Sequence, residues 1–177
     1  MVTVGMGYFA STYVSLEFKE QNVVKAKMVT VATYIYSIIV HLIIAGICFI
    51  FVAPICKFYT TDSDVTEIFN SVFMIWIIQH IFNSILSVSF GVLRSLGKTG
   101  LGSAGILTCS YVISLPLCYF LAFEKQQLIK GLWMAPLVMK FILIIYFFVL
   151  MGYDNWNKVA EHERVEIEAV DFDNELG

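Results

Sequence analysis

The chain has 177 residues, 59% of them hydrophobic and 14% charged, with a mean hydropathy of +0.80 and a formal net charge of −3. A soluble domain carries about 25% charged residues. A deficit of this size excludes a water-exposed surface and points to an all-α membrane protein rather than a soluble enzyme.

Residues 2–16 are apolar or small and uncharged, but too few to span a bilayer comfortably. They lack the basic start of a signal peptide, since the first charge is Glu17. They read as a partial helix whose natural start lies upstream, as in a fragment. Four full spans follow, at about 28–53, 68–93, 101–123 and 131–151. Each is close to or above the roughly 20 residues that cross a bilayer as an α-helix. Lipid offers backbone groups no hydrogen bonds, which demands helices here. A β-barrel would show alternating segments of about ten residues, and residues 141–150, Phe-Ile-Leu-Ile-Ile-Tyr-Phe-Phe-Val-Leu, do not alternate.

Pro54 and Lys57 are predicted to end the first full span. Residues 60–64 form a polar loop in which Asp64 is expected to cap the next helix. Residues 94–100, with Gly97 and Gly100, make the next turn, and residues 124–130 the one after. Beyond Met151 the character changes: residues 154–177 hold eight acids against Lys158 and Arg164. Residues 157–169 are expected to form a short surface helix, and the last few residues lack the apolar content to pack. The expected organisation is a polytopic helical bundle over 1–153 and an acidic tail over 154–177.

Basic residues set the expected orientation. Placing the segment with Lys19, Lys25 and Lys27 on the cytoplasmic side also puts Arg94, Lys98, Lys158 and Arg164 there, seven in all. Lys57, Lys125 and Lys130 fall on the other side, and Lys140 lies within a span. The tail is therefore expected to be cytoplasmic.

Polar residues inside the spans follow helical spacing. Thr30, Tyr34, Ser37 and His41 share one face, as do His80, Asn83, Ser84 and Ser87. Such faces either line a cavity or hydrogen-bond between helices. As a cavity, they would accept an organic cation, with Tyr34 and Tyr111 offering aromatic faces. His80, Asn83 and Ser87 are expected to face the same interior side as His41. Lys140, near the middle of its span, costs roughly 2.5–3.5 kcal/mol to insert and either faces a cavity or carboxylate or is carried neutral. His41 and His80 titrate near neutral pH when unperturbed. The four full spans contain no Asp or Glu, so no carboxylate ion site can be located in them. Cys48, Cys56, Cys109 and Cys118 form no CxxC pair and read as packing residues. Nothing in the pattern indicates a metal, a cofactor or a nucleic-acid partner.

Several segments, in order, resemble the multidrug and toxic compound extrusion (MATE) transporters. Gly91-Val-Leu-Arg94-Ser-Leu-Gly97 is similar to the turn after that family's tenth helix. Gly102-Ser-Ala-Gly105, Tyr111 and Leu115-Pro116 resemble its eleventh helix, Lys130-Gly131-Leu-Trp133 the opening of its twelfth, and Asp154-Asn-Trp156 the close. Upstream, Ala10-Ser-Thr12, Val14-Ser15 and Glu17 resemble the end of helix eight, and Phe58-Tyr-Thr-Thr-Asp62 the loop after helix nine. The resemblance implies helices eight to twelve, most of the C-terminal lobe of a twelve-helix antiporter. It implies export of organic cations or other xenobiotics in exchange for protons or sodium. Completion by an N-terminal lobe or a partner chain follows, in the plasma membrane or a vacuolar or endosomal one. The chain departs from the family pattern at Tyr13, at Lys19-Glu-Gln21 in place of Gly-Ala-Gly, at Asn83 in place of Asp, at Leu86 and at Ser114. Two alternatives stand beside this reading: a related flippase for lipid-linked substrates, which would favour a strongly cationic cavity, and a truncated, non-transporting membrane protein that packs against a partner.

Overall fold

The computed structural model describes residues 1–59, 63–124, 128–162 and 165, and the elements among them are helical. Helix α1 is Val2–Lys19, α2 is Val23–Tyr59 and α3 is Ser63–Ser95. The rod α4 covers 99–124: an α-helical start Thr99–Thr108, a π-helical segment Cys109–Ser114, an α-helical turn Leu115–Tyr119 and a second π-helical segment Phe120–Glu124. Helix α5 is Leu128–Tyr153, and residues 156–162 form a short helix, α6. Four segments are long and apolar enough to cross a membrane: Val23–Val52, Val65–Ser95, Thr99–Phe123 and Ile129–Tyr153. They are the four expected full spans. Helix α1, with 18 residues, reaches about 27 Å against a hydrocarbon core of about 30 Å, and is the expected partial one.

The helix ends are built from local chemistry. Asn22 caps α2: its Oδ1 accepts the Lys25 N–H at 3.1 Å. Helix α1 closes with Asn22 N–H on Glu17 O and Gln21 N–H on Phe18 O, both at 2.9 Å. Helix α3 closes in the same way, Lys98 N–H on Leu93 O and Gly97 N–H on Arg94 O. These paired bonds are Schellman closures, which place one residue in the left-handed region. That residue is Gly97 (φ +70) in one case and Gln21 (φ +56) in the other.

Three sequence expectations need correction. The membrane-length segment ends at Val52, just before Pro54, but the helix does not, because α2 continues through Pro54 to Tyr59. A proline removes one backbone donor, and a helix in lipid has no competing solvent to unravel it. Asp64 lies inside the first turn of α3 rather than at its cap, since the helix begins at Ser63. The expected 157–169 helix begins earlier, at 156. Residues 163, 164 and 166–177 lie outside the described residues, as do 60–62 of the expected polar loop and 125–127 of the expected turn.

Helix α3 is central and packs on α1, α2 and α5; α4 packs mainly on α5 and, among the described residues, touches neither α1 nor α2. Helices α1 and α3 run parallel along a stripe of small residues. Ser87 Oγ donates to Thr3 O, and eight residues on Ser95 Oγ donates to Ser11 O at 2.8 Å. Between these bonds the backbones nearly touch: a Cβ at Gly91 would sit 2.1 Å from Gly7 O, and one at Gly7 2.7 Å from Ser87 O. The core beneath is formed by Ala10, Val14, Phe18, Val88, Val92, Leu93 and Phe147.

Candidate functional site

A polar layer crosses the middle of this apolar bundle. Helix α2 contributes Ser37 and His41, both fully buried. His41 Nδ1–H donates to the Ser37 carbonyl at 2.8 Å, because a carbonyl can only accept. In the neutral ring Nε2 is then an acceptor, and the Thr3 hydroxyl of α1 donates to it at 3.0 Å. Helix α3 brings His80 against His41, with ring centroids 4.7 Å apart. The other face of His80 stacks on Trp76 at 5.2 Å. His80 Nε2, Ser37 Oγ and Ser84 Oγ are buried with no hydrogen-bond partner among the described residues. Buried polar atoms are seldom left so.

One residue along α3 from His80, Gln79 is 6% exposed and ties α3 to α5. Its Oε1 accepts from Lys140 Nζ at 3.1 Å, and its Nε2–H donates to the Trp133 carbonyl. Further along α5, Pro136 has no N–H to give the Leu132 carbonyl. The freed Leu132 carbonyl accepts from the Cys118 thiol of α4 at 3.6 Å. Lys140 thus has an amide oxygen as a partner, where the sequence left open a cavity or carboxylate partner and a neutral lysine.

The other expected cavity residues fall in different places. Tyr34 donates to or accepts from Ser89 Oγ at 2.7 Å and stacks on Phe148 at 5.8 Å. It joins α2 to α3 and α5. Its neighbours Thr30 and Thr33 bond back to Ala26 O and Val29 O. Ser87 is held by Thr3 O, so it joins the same α1–α2–α3 network as His41. Asn83 is exposed, contrary to the expected common face with His41. At about 100° per residue Ser87 lies about 20° from His80 around α3, whereas Asn83 lies about 60° away. Tyr111 is 66% exposed on α4, a rod that does not reach Tyr34's helix. Sequence reading passed over Thr3, Gly7 and Gln79. Gln79 had a signal, as an amide beside a histidine in an apolar span. Thr3 and Gly7 had none beyond small size.

The motif residues are structural in their contacts. Gly91 allows the α1–α3 contact, and the Arg94 guanidinium sits over the Tyr8 ring at 4.8 Å and the Phe90 ring at 5.5 Å. Gly97 makes the left-handed turn. Pro116 follows the π-helical segment; its missing N–H leaves the Val112 carbonyl without its usual donor. Gly131 packs on the α4 backbone, 2.7 Å from Leu121 C if given a Cβ. Trp133 lines, with Phe69, Phe73 and Trp76, an apolar cleft of 510 Å³. Trp156 meets Phe18 edge-on at 5.7 Å and donates to Met151 O at 3.1 Å. Nearby, Lys98 and Asp154 form an ion pair at 2.9 Å. These contacts dock the start of α6 onto α1 and α4. No group of three or more metal-ligating side chains occurs among the described residues.

Known proteins share this architecture. The family model MatE matches residues 1–120. Multidrug and toxin extrusion protein 2 of Homo sapiens is 26% identical over 93% of this chain and 27% of its own length. Protein DETOXIFICATION 9 of Arabidopsis thaliana is 26% identical over 92% of this chain and 34% of its own. The solved structure of the eukaryotic MATE transporter AtDTX14 superposes with a TM-score of 0.82 at 21% identity, covering 93% of this chain and 37% of that one. The chain therefore spans about a quarter to a third of the length of the curated relatives it matches.

Proposed function

Since the chain belongs to the MatE family, and is an integral membrane protein by its four membrane-length helices, we propose that it forms helices eight to twelve of a secondary antiporter for organic cations or xenobiotics. Protons or sodium are the coupling ions of this reading. Substrate would bind between the five helices and a second lobe or partner chain, and access would alternate by rocking of one against the other. The observation that supports it best is the polar layer: His41, His80, Gln79 and Lys140 are gathered from three spans within an otherwise apolar bundle.

In this reading Asn83 cannot release a proton, and residues 28–53, 68–93, 101–123 and 131–151 hold no acid. Coupling then falls to the His41–His80 pair, whose Thr3 bond must reverse direction when His41 gains a proton and Nε2 becomes a donor. A lipid-linked substrate flippase is less well supported, because the Lys140 ammonium is engaged by Gln79 rather than free in a cationic cavity. The acidic tail is cytoplasmic in this arrangement.

The test is transport in liposomes under an imposed pH or sodium gradient, with a cationic dye as substrate. The 177 residues alone, as a monomer, are expected to show no gradient-driven uptake, because one wall of the cavity comes from elsewhere. Uptake is expected when they are joined to a complementary lobe, and His80→Ala should abolish it while leaving the protein folded. Uptake by a demonstrated monomer, or undiminished uptake by the variant, would overturn the proposal.

A further inference from the structure

At the other end of α2 from its proline, a cleft of 490 Å³ opens between α2 and α5. This is within the roughly 300–1,000 Å³ of small-molecule sites. Its floor is apolar and open to the outside: Val31 is 57% and Phe148 48% exposed, with Tyr34 stacked behind them. Its rim is polar: Lys27, Asp154 and Trp156. The charges on the rim do not cancel. Asp154 is paired with Lys98, which leaves Lys27 with no carboxylate partner among the described residues. Its ammonium rests over the Trp156 ring instead, 5.7 Å from the centroid.

We propose that this cleft binds one anionic phospholipid, its phosphate on Lys27 and the first part of an acyl chain along Val31 and Phe148. The apolar floor belongs to two membrane-length helices, so a lipid tail can enter it without leaving the bilayer. Trp156 stands where the spans end, the level at which tryptophan meets headgroups. Basic pockets between transmembrane helices hold anionic headgroups, and the unbalanced Lys27 charge favours a lipid with net negative charge over a zwitterionic one. A soluble anion could use the Lys27 ammonium but not the floor. The site is separate from the His41–His80 layer and does not depend on the transport reading.

Native mass spectrometry of the full chain, released from detergent with phosphatidylglycerol or phosphatidylcholine of matched acyl chains, tests the proposal. One phosphatidylglycerol should be retained per chain, preferred about five-fold over phosphatidylcholine, the scale expected for one basic residue at an anionic membrane surface. Lys27→Gln should abolish the preference. Lys25→Gln, exposed two residues away and outside the cleft, should keep it. Equal retention of the two lipids, or equal losses from both variants, would overturn the site. Displacement of the lipid by millimolar inorganic phosphate would reassign the same ammonium to a soluble anion and also overturn it.

Discussion

Gln21 occupies the left-handed position (φ +56) that closes α1. A side chain there is strained by about 1 kcal/mol relative to glycine. Gln21→Gly should therefore stabilise the chain by about 1 kcal/mol, read as a higher midpoint of helix loss on heating in detergent. The sequence shows this site as a departure from Gly-Ala-Gly in a motif, and the backbone shows why glycine is the usual choice. Gly91 behaves in the opposite sense. An added methyl would meet Gly7 O at 2.1 Å, and α1 must move away from α3. Gly91→Ala should cost about 1–3 kcal/mol, the range for overpacking, and should weaken the Ser87–Thr3 and Ser95–Ser11 bonds together. Disulfide cross-linking between cysteines placed at Thr3 and Ser87 checks this: the yield should fall in the Gly91→Ala background.

At the scale of the element, α5 carries the most consequential irregularity. Pro136 withholds a donor from Leu132 O, and that carbonyl accepts from the Cys118 thiol of α4 instead. Pro136→Ala should restore the intrahelical bond to Leu132 O. Cys118 then loses its acceptor, and its S–H stretching band in the infrared should move toward the free-thiol frequency. An unchanged band would show that the thiol bond does not depend on the proline. Pro54 lies on α2, away from the Leu132 carbonyl, so its replacement should not shift the Cys118 band.

The whole molecule is organised by its ends. Lys19, Lys25, Lys27, Arg94, Lys98 and Lys158 all fall at the end of the bundle where α1, α3 and α5 finish and α2 and α4 begin. That clustering is the positive-inside pattern drawn in space, and it predicts that this end, with the acidic tail, faces the cytoplasm. A single cysteine introduced at Asn174, with the native cysteines replaced, should resist an impermeant thiol reagent in intact cells and react after permeabilisation. Strong labelling of intact cells would reverse the orientation.

The spans and the lipid-bound character of the chain were legible in the sequence, because hydropathy and length are local properties that a bilayer reads one helix at a time. So was the face carrying Ser37 and His41, since spacing along a helix reports direction around its axis. The turn containing Gly97 was visible as well. Spacing does not report which neighbouring helix that face meets, or at what height. Only the packed structure set His80 4.7 Å from His41, placed Thr3 on the histidine and left Asn83 outside, though Asn83 is three residues from His80. It also put Gln79 between Lys140 and the Trp133 carbonyl, where the sequence had left a cavity or carboxylate partner and a neutral lysine as alternatives. These pairings depend on how closely two backbones approach. Here that approach is governed by small residues such as Gly7 and Gly91, which lie 84 positions apart.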